Sequence, residues 1–434
     1  MYQSTGTPTV HSAYALPQLC ALYHEQPKEK IDDIYSWQTV ASLCIAQWIG
    51  HSGDSFPISF SEASWTGMFN FRSCTWETDV LQYLPEKCRE SLPKLADCSE
   101  DNAFEISEYL TNKSTGKRSI NPYWERWPEL RKRNKNNKRC QFFLGIGDGA
   151  CANIGSKCAG PSRLAVTIGT SAAARVCIPF PKQNEEKGEP LYVPYGLFCY
   201  RINGSNILLG GALTDGGSVI EWLRTLLNLK EDSDLEGCMQ KSSQLYEEII
   251  CQSTLSNATN ETCTKNKNMI FLPFLSGERS TGYRDNAQGG LLGITRSSSP
   301  ASVMKTCMEG VILRLQDIIR LIQKTTNDQR MEKASIIIAS GNALERNSFW
   351  RQLLADSSNM DVIIDENSSE GTSKGAGIII FNALFYPNAG FKSNTTTNDL
   401  TITDQKGPRS EIQNYWKCLS SAQTDYIDSI ATFW

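Results

Sequence analysis

Apolar segments that end in glycine-rich turns recur along this chain, and they constrain its fold more than any other feature. Each turn follows residues typical of a buried strand and precedes a further strand or a helical pattern. The four turns are residues 145–150, 169–171, 210–217 and 340–343. Strands that alternate with helices in this way predict a largely α/β architecture.

The first turn, Gly-Ile-Gly-Asp-Gly-Ala, carries a carboxylate at Asp148. Backbone N–H groups in such turns suit phosphate, whereas a carboxylate would repel a phosphate bound beside it. Asp148 is better explained as a base that takes a proton from a hydroxyl attacking a phosphate. An aspartate that only caps the following helix would be the simpler explanation of one turn. The order of the four turns favours the catalytic role. A turn that carries a catalytic base, followed by a turn that binds phosphates, is the pattern of a small-molecule kinase.

Three other enzyme classes fit the sequence less well. A dinucleotide-binding turn needs an acidic residue about 20 positions later, and residues 149–184 contain neither Asp nor Glu. A P-loop kinase is excluded because no GxxxxGK[ST] motif occurs. Residues 371–375 match the GxSxG motif of hydrolases, which requires a later histidine. The histidines are His11, His24 and His51, and all precede that motif.

Composition limits the partners and the compartment. The formal net charge is −4, so nucleic acid is not an expected partner. There is no apolar stretch of 18 or more residues and no signal-like start, so we expect a cytoplasmic protein that does not bind membranes. The 15 cysteines are odd in number and form no CxxC pair, which favours reduced thiols over a disulfide framework or a zinc site.

The order of the turns, with the residues between them, resembles the FGGY family of carbohydrate kinases. Residues 272–279, Leu-Pro-Phe-Leu-Ser-Gly-Glu-Arg, are similar to a family hallmark, and 283–285 continue it. Residues 289–309 resemble the family's C-terminal signature, from which Ser302 and Thr306 depart. The resemblance covers about residues 1–386. The segments most similar to the gluconate-kinase-like branch are 2–6 with His11, 61–69 and 126–128.

The resemblance implies two actin-like (ribonuclease H-like) ATPase domains with a cleft between them. We expect an incomplete N-terminal domain over 1–158, which carries the catalytic aspartate and binds the sugar. A nucleotide-binding C-terminal domain would follow over 159–386, and a polar tail over 387–434. Family members begin with an Asp-x-Gly-Thr phosphate loop, and none occurs before Tyr2. For this reason the first domain is expected to lack its N-terminal part.

The implied activity is ATP-dependent phosphorylation of a hydroxyl on a small sugar, sugar acid or polyol, with Mg²⁺ and with Asp148 as general base. The resemblance predicts no protein ligand for a resident metal and is compatible with a homodimer. A truncated or degenerate homologue that binds nucleotide or sugar without turnover is the alternative. The predicted nucleotide-binding residues are Gly169, Thr170, Ser171, Gly217, Ile220, Glu221, Gly341, Asn342 and Asn347, of which Asn342 replaces a commoner glycine.

Three further expectations concern single side chains and one helix. Glu278 and Arg279 are interpreted as an ion pair that supports the cleft. Trp65 is expected in the core, not as a platform for a sugar ring. The spacing of apolar residues from Met304 to Ile322 predicts an amphipathic helix with Met308 in its buried face.

Overall fold

The computed structural model describes residues 1–8, 14–51, 56–111, 115–129, 140–180, 190–255, 269–365, 370–386, 400 and 402–434. Within the predicted first domain the strands are short. They are β1 (Ile58–Ser59), β2 (Phe69–Asn70), β3 (Thr75–Trp76), β4 (Leu95–Ala96), β5 (Phe104–Glu105), β6 (Tyr109–Thr111), β7 (Arg118–Ile120) and β8 (Gln141–Phe142). The helices of this part are α1 (Tyr2–Thr5), α2 (Ala15–Glu25), α3 (Lys28–Asp32), α4 (Val40–Ile49), α5 (Phe60–Ser64), α6 (Thr78–Leu81), α7 (Glu86–Glu90), α8 (Pro122–Arg126) and α9 (Asp148–Gly155).

The remaining strands are β9 (Arg163–Ile168), β10 (Ala172–Pro179), β11 (Phe198–Arg201), β12 (Asn206–Leu213), β13 (Ile270–Leu272), β14 (Gly290–Leu292), β15 (Ile336–Ser340), β16 (Asp361–Asp365) and β17 (Ile402–Lys406). The remaining helices are α10 (Ser218–Leu226), α11 (Asp232–Leu255), α12 (Pro300–Asp328), α13 (Asn342–Arg346), α14 (Ser348–Ser358), α15 (Gly371–Phe385) and α16 (Gln413–Ile430).

One seven-stranded sheet organises the second half of the chain, in the order β11-β12-β10-β9-β15-β16-β17. Strand β15 runs parallel to both β9 and β16, whereas β10, β11, β12 and β17 pair in antiparallel fashion. Strand β9 is buried on both faces: Leu164 and Val166 join the main core, and Ala165 packs in a smaller cluster on the other face. Burial on both faces explains why these strands are continuous apolar runs.

The predicted amphipathic helix is confirmed as α12, and Met308 is fully buried in it. Its start is well defined. Ser299 Oγ accepts a hydrogen bond from the Ser302 N–H at 3.2 Å, Ser302 Oγ accepts one from the Ser299 N–H at 2.8 Å, and Pro300 occupies the first turn. Ser302, which departs from the family signature, therefore completes a capping box in this chain.

Helices α9 and α15 cross at very short range and connect the two halves of the chain. An ideal Cβ placed on Gly155 would lie 1.8 Å from the Gly371 carbonyl oxygen, and one on Gly375 would lie 1.8 Å from the Cys151 carbonyl oxygen. Only glycine permits this approach. The Gly-x-Ser-x-Gly string at 371–375 is therefore the first turn of α15, where its glycines serve helix packing.

The described part of the predicted tail packs on the second half of the chain. Strand β17 extends the sheet beyond β16, and α16 buries Trp416, Leu419 and Ile427 in the main core. The C-terminal helix is therefore docked on this core. The domain boundaries at residues 158 and 386 remain predictions.

Two expectations from composition can be compared with the described residues. Within them no helix is long and apolar enough to cross a membrane. Most cysteines there are free thiols, many of them buried. Cys418 is disulfide-bonded, which corrects the expectation of reduced thiols at that position.

Candidate active site

The second and third glycine turns are joined by their backbones. The Thr170 carbonyl oxygen accepts hydrogen bonds from the N–H groups of Gly216 (2.9 Å) and Ser218 (3.1 Å). The Gly169 carbonyl accepts from Gly217 N–H at 2.7 Å. An ideal Cβ on Gly217 would lie 2.5 Å from that same carbonyl oxygen, so a side chain cannot be added without moving the turn.

The fourth turn lies against the second because β9 and β15 are parallel neighbours. Near their carboxyl ends the two strands meet through the hydroxyls of Thr167 and Ser340, which are 2.8 Å apart. Gly341 has φ +88°, and an ideal Cβ there would lie 2.5 Å from the Ile168 carbonyl oxygen. Carboxyl ends of parallel strands are where α/β proteins bind ligands.

A cavity of about 940 Å³ opens where these three turns meet. It contains seven of the predicted nucleotide-binding residues: Gly169, Thr170, Gly217, Ile220, Glu221, Asn342 and Asn347. Ser171 and Gly341 belong to the same turns but do not line it. Apolar side chains including Trp222, Leu235, Met239 and Trp350 form part of its wall.

The cavity combines two kinds of surface. Gly217 is the N-cap of helix α10 and offers no side-chain cap, so the partial positive charge of the helix N-terminus adjoins the glycine turns. Asn347 has a structural role as well, since its Oδ1 caps α14 by accepting from the Trp350 N–H at 3.0 Å. Backbone-lined turns on one side and an apolar wall on the other are suited to phosphates and a flat ring, respectively.

Asp215, which the sequence analysis did not single out, fixes the third turn. Its carboxylate is buried and accepts from the Ser276 N–H (2.8 Å) and the Ser218 hydroxyl (3.0 Å). These bonds join the Leu-Ser-Gly-Glu-Arg turn to the start of α10. Asp215 is therefore a positioning residue. Its place inside a glycine turn was the sequence signal that could have identified it.

Asp148 is the first residue of α9, and its side chain is exposed. Its Oδ1 accepts a hydrogen bond from the Gly149 N–H at 2.6 Å, and the preceding Gly147 N–H donates to Ser61 Oγ at 3.0 Å. Burial, and then the Asp148 charge, raise the pKa of the nearby Cys151 thiol to about 11. The carboxylate is thus held at a helix N-terminus while remaining open to a ligand.

Arg175 of β10 lies beside this carboxylate. An ideal Cβ on Gly149 would be 3.6 Å from Arg175 Nε. Burial lowers the pKa of Arg175, and the positive charge of Arg279 acts in the same direction. The charges of Asp148 and Tyr200 raise this pKa, but the net shift is downward. Arg175 follows Ser171 by four strand positions, which span about 13 Å. The phosphate turn and the surroundings of Asp148 are therefore linked by one short strand.

Aromatic side chains complete this part of the site. Trp65 packs on Tyr200 with ring centroids 4.2 Å apart, and the hydroxyls of Tyr200 and Tyr14 are 3.3 Å apart. Burial raises the pKa of Tyr200, and it raises that of Tyr283 to about 12. Trp65 is 40% exposed, so the expectation that it lies in the core is wrong: it contacts Tyr200 at the surface and lies close to Gly147.

Glu278 and Arg279 do not form the expected ion pair. The Glu278 carboxylate is buried and pairs with Arg314 at 2.7 Å and Arg284 at 3.3 Å. Arg279 is exposed and lies within electrostatic range of Arg175, Tyr200 and Tyr283. Adjacent residues in this turn point in different directions, so Glu278 supports the turn while Arg279 remains available to the site.

Residues 164–384, half of the chain, match the model of the FGGY family of carbohydrate kinases, C-terminal domain. The chain belongs to the FGGY family of carbohydrate kinases. The matched range contains the second, third and fourth turns and thus every wall of the cavity. The resemblance inferred from the order of the turns is confirmed.

Relatives of this FGGY protein extend over most of its length. A gluconokinase of Bacillus subtilis is 24% identical over 379 residues, 87% of this chain and 64% of that protein. A xylulose kinase of Staphylococcus xylosus is 22% identical over 375 residues, 86% of this chain and 64% of that protein. The chain therefore spans less than two thirds of the length of these curated relatives.

Solved structures support the expected fold of the FGGY protein. A gluconate kinase from Lactobacillus acidophilus is similar with a TM-score of 0.72 at 23% identity, covering 99% of this chain and 74% of that one. A xylulose kinase from the same organism has a TM-score of 0.71 at 22% identity. The predicted actin-like, two-domain ATPase fold is confirmed by these neighbours. His11, one residue of the branch resemblance, lies outside the described residues.

Proposed function

We propose that this protein transfers the γ-phosphoryl group of ATP to a hydroxyl of a small sugar, sugar acid or polyol. The observation that carries the proposal is the convergence of three glycine turns on one cavity, with a strand leading from that cavity to the exposed Asp148. Family membership supports the reaction type.

The nucleotide would lie in the cavity between the turns and α11. Its adenine ring would pack on the apolar wall, near Ile220, Asn342 and Asn347. Its phosphates would lie along Gly169–Thr170–Ser171 and Gly217, where backbone N–H groups and a helix N-terminus favour anions. Glu221 would line the rim near the nucleoside, since a carboxylate is unfavourable beside phosphates.

Asp148 would act on the acceptor. As the acceptor oxygen attacks the γ-phosphorus, its proton passes to an Asp148 oxygen, the bond between the γ-phosphorus and the bridging oxygen breaks, and ADP leaves. An ionised aspartate is a weak base, so orientation and charge stabilisation would supply most of the acceleration. The short bond from the Gly149 N–H keeps the carboxylate oriented for this transfer.

Magnesium would enter as part of the MgATP co-substrate. Mg²⁺ prefers oxygen ligands and commonly binds through one or two carboxylates together with substrate phosphates and water. The Asp148 carboxylate and the Thr170 hydroxyl are oxygen donors of this kind. Among the described residues no group of three or more His, Cys, Asp or Glu side chains could hold a resident metal ion.

The decisive experiment measures ADP release by this chain with MgATP and one acceptor at a time: gluconate, ribulose, xylulose, sedoheptulose, glycerol or erythritol. We expect release with one acceptor class, and a loss of about 10²–10⁴-fold in Asp148→Asn. Asp79→Asn removes an exposed carboxylate from the first turn of α6 and serves as the matched control.

Two results would decide between the proposal and its alternative. Acceptor-dependent release that Asp148→Asn abolishes and Asp79→Asn retains would support a kinase with Asp148 as base. Folded protein that binds ADP in calorimetry but releases none from ATP with any acceptor would overturn the catalytic proposal in favour of a non-catalytic binding protein.

A further inference from the structure

The side chain of Arg175 runs through a passage formed by two glycines. An ideal Cβ on Gly210, its partner across the β10–β12 pair, would lie 3.0 Å from Arg175 Cγ, and one on Gly149 would lie 3.6 Å from Nε. Phe198, opposite Gly210 on β11, encloses the same space from the next strand. The stem of the arginine is therefore fixed, and its guanidinium is directed toward the start of α9.

The guanidinium of Arg175 forms no hydrogen bond or ion pair with any described residue, although the residue is only partly exposed. Two buried arginines of this structure are paired. Arg201 donates to the Phe71 and Gly204 carbonyls at 2.6 and 2.8 Å, and Arg314 pairs with Glu278 at 2.7 Å. A partly desolvated cation without a partner is unfavourable unless a ligand supplies one.

The charges around this guanidinium favour an anion. Asp148 is the neighbouring carboxylate, yet it forms no ion pair with Arg175 and instead accepts from its own Gly149 N–H. Arg279 adds a second positive charge nearby, and its side chain likewise forms no hydrogen bond or ion pair with the described residues. Two cations and one carboxylate leave a net positive charge beside the position proposed for the acceptor.

We propose that Arg175 binds the carboxylate of an acidic acceptor and thereby selects sugar acids over neutral polyols. This inference rests on the proposed function, because it places the acceptor between Arg175 and Asp148. A guanidinium presents paired donors that match the two oxygens of a carboxylate. Asp148 would remain free to meet a hydroxyl at another position of the same acceptor, and Arg279 would strengthen the positive field.

The transferred phosphoryl group is the other anion that could meet Arg175. The position of Arg175 argues for the acceptor, since it lies four positions after Ser171 along the chain while its Nε lies close to Gly149. The two sources are distinguishable because an arginine that binds the γ-phosphate would affect the affinity for ATP analogues more than that for ADP.

The test measures equilibrium binding by calorimetry with three probes, gluconate, glucitol and ADP, and then with a non-hydrolysable ATP analogue. Glucitol keeps the carbon chain and replaces the carboxylate with a hydroxymethyl group. We expect gluconate to bind at least about tenfold more tightly, and Arg175→Met to weaken gluconate about 10- to 100-fold, as for hydrogen bonds to charged groups. Affinities for glucitol and ADP should stay within about twofold, and Arg175→Lys should retain part of the preference.

Two further measurements complete the design: one on a matched control variant and one on the unaltered protein. Arg118→Met removes an exposed arginine of β7 and should leave all three affinities unchanged. In the unaltered protein the gluconate-to-glucitol preference should shrink as salt concentration rises, because the contact is ionic. This second measurement decides the question even if Arg175→Met folds poorly.

The outcomes separate this inference from the proposed function. Equal affinity for gluconate and glucitol, a preference unchanged in Arg175→Met, or a loss confined to a non-hydrolysable ATP analogue would each overturn it. Arg175-dependent gluconate binding without ADP release would support the inference and contradict turnover. ADP release with a neutral acceptor alone would support the kinase and overturn the role of Arg175.

Discussion

The Asp356 carboxylate accepts a hydrogen bond from Arg409 Nη2 at 2.8 Å, and this fully buried carboxylate ties the C-terminal segment to α14. Asp356 also accepts from the Arg409 backbone N–H at 2.8 Å and from the Tyr246 hydroxyl at 3.0 Å. The same guanidinium reaches Glu247 at 2.9 Å, but the Glu247 side chain is 53% exposed. One arginine therefore offers a buried and an exposed ion pair for direct comparison.

Asp356→Asn should lower the free energy of unfolding by about 3–5 kcal/mol, because the arginine loses its buried counter-charge. Glu247→Gln should cost less than about 1 kcal/mol, since exposed pairs contribute little. Urea unfolding followed by tryptophan fluorescence gives both values. Equal losses in the two variants would show that burial does not determine the strength of these pairs.

Because α9 and α15 cross closely, alanine substitutions at two glycines of α15, Gly375 and Gly377, should change the stability of the protein in opposite directions. Gly375→Ala should destabilise the protein by about 1–3 kcal/mol, as overpacking does, because its Cβ would meet the Cys151 carbonyl oxygen. Gly377→Ala has no atom within 4 Å of its new Cβ and should stabilise α15 by about 1 kcal/mol. Thermal unfolding would test this, and two shifts of the same sign would contradict the crossing geometry.

Much of the second half of the chain could be predicted from sequence because its signals are local. Apolar runs such as Ile336–Ser340 identify buried strands, and glycine turns mark their carboxyl ends. Parallel pairing of β9 with β15 then brings separate turns together. The resemblance to the FGGY family assigned Thr170 and Asn342 to one site, and this pairing is what brings the two residues to one cavity.

The surroundings of Asp148 and Arg175 were harder to predict, because the contacts there join helices and strands that are far apart in the sequence and share no motif. Arg175 lies within an apolar strand, and its surroundings depend on glycines at 149 and 210. Trp65 has an ordinary core composition around it, yet it packs on the buried Tyr200 with 40% of its own surface exposed. Neither position carries a periodic or motif signal, so only the packing of β10, β11 and α9 reveals it.

The cavity between the glycine turns predicts a specific loss of nucleotide binding. Gly217→Ala should weaken ADP binding at least about tenfold, because the new Cβ would displace the Gly169 carbonyl and with it the phosphate turn. Gly237→Ala, in the middle of α11 with no atom within 4 Å of its new Cβ, should leave ADP affinity unchanged. Calorimetric titration with ADP measures both, and unaltered binding in Gly217→Ala would place the nucleotide elsewhere.

Asp97 predicts a pH dependence of stability whose sign is opposite to that of most acidic groups. Burial raises its pKa, although the Gly204 N–H, which donates to Oδ2 at 2.8 Å, acts in the other direction. Because the folded pKa exceeds the unfolded value of about 3.9, Asp97 contributes stability at low pH and loses it as pH rises through the folded pKa. Asp97→Asn does not titrate there, so the unfolding free energy of the unaltered protein minus that of the variant should fall as pH rises from about 4 through the folded pKa. Urea unfolding of both proteins across that range measures the difference, and a difference that rises with pH would mean that hydrogen bonding to the charged carboxylate outweighs its burial.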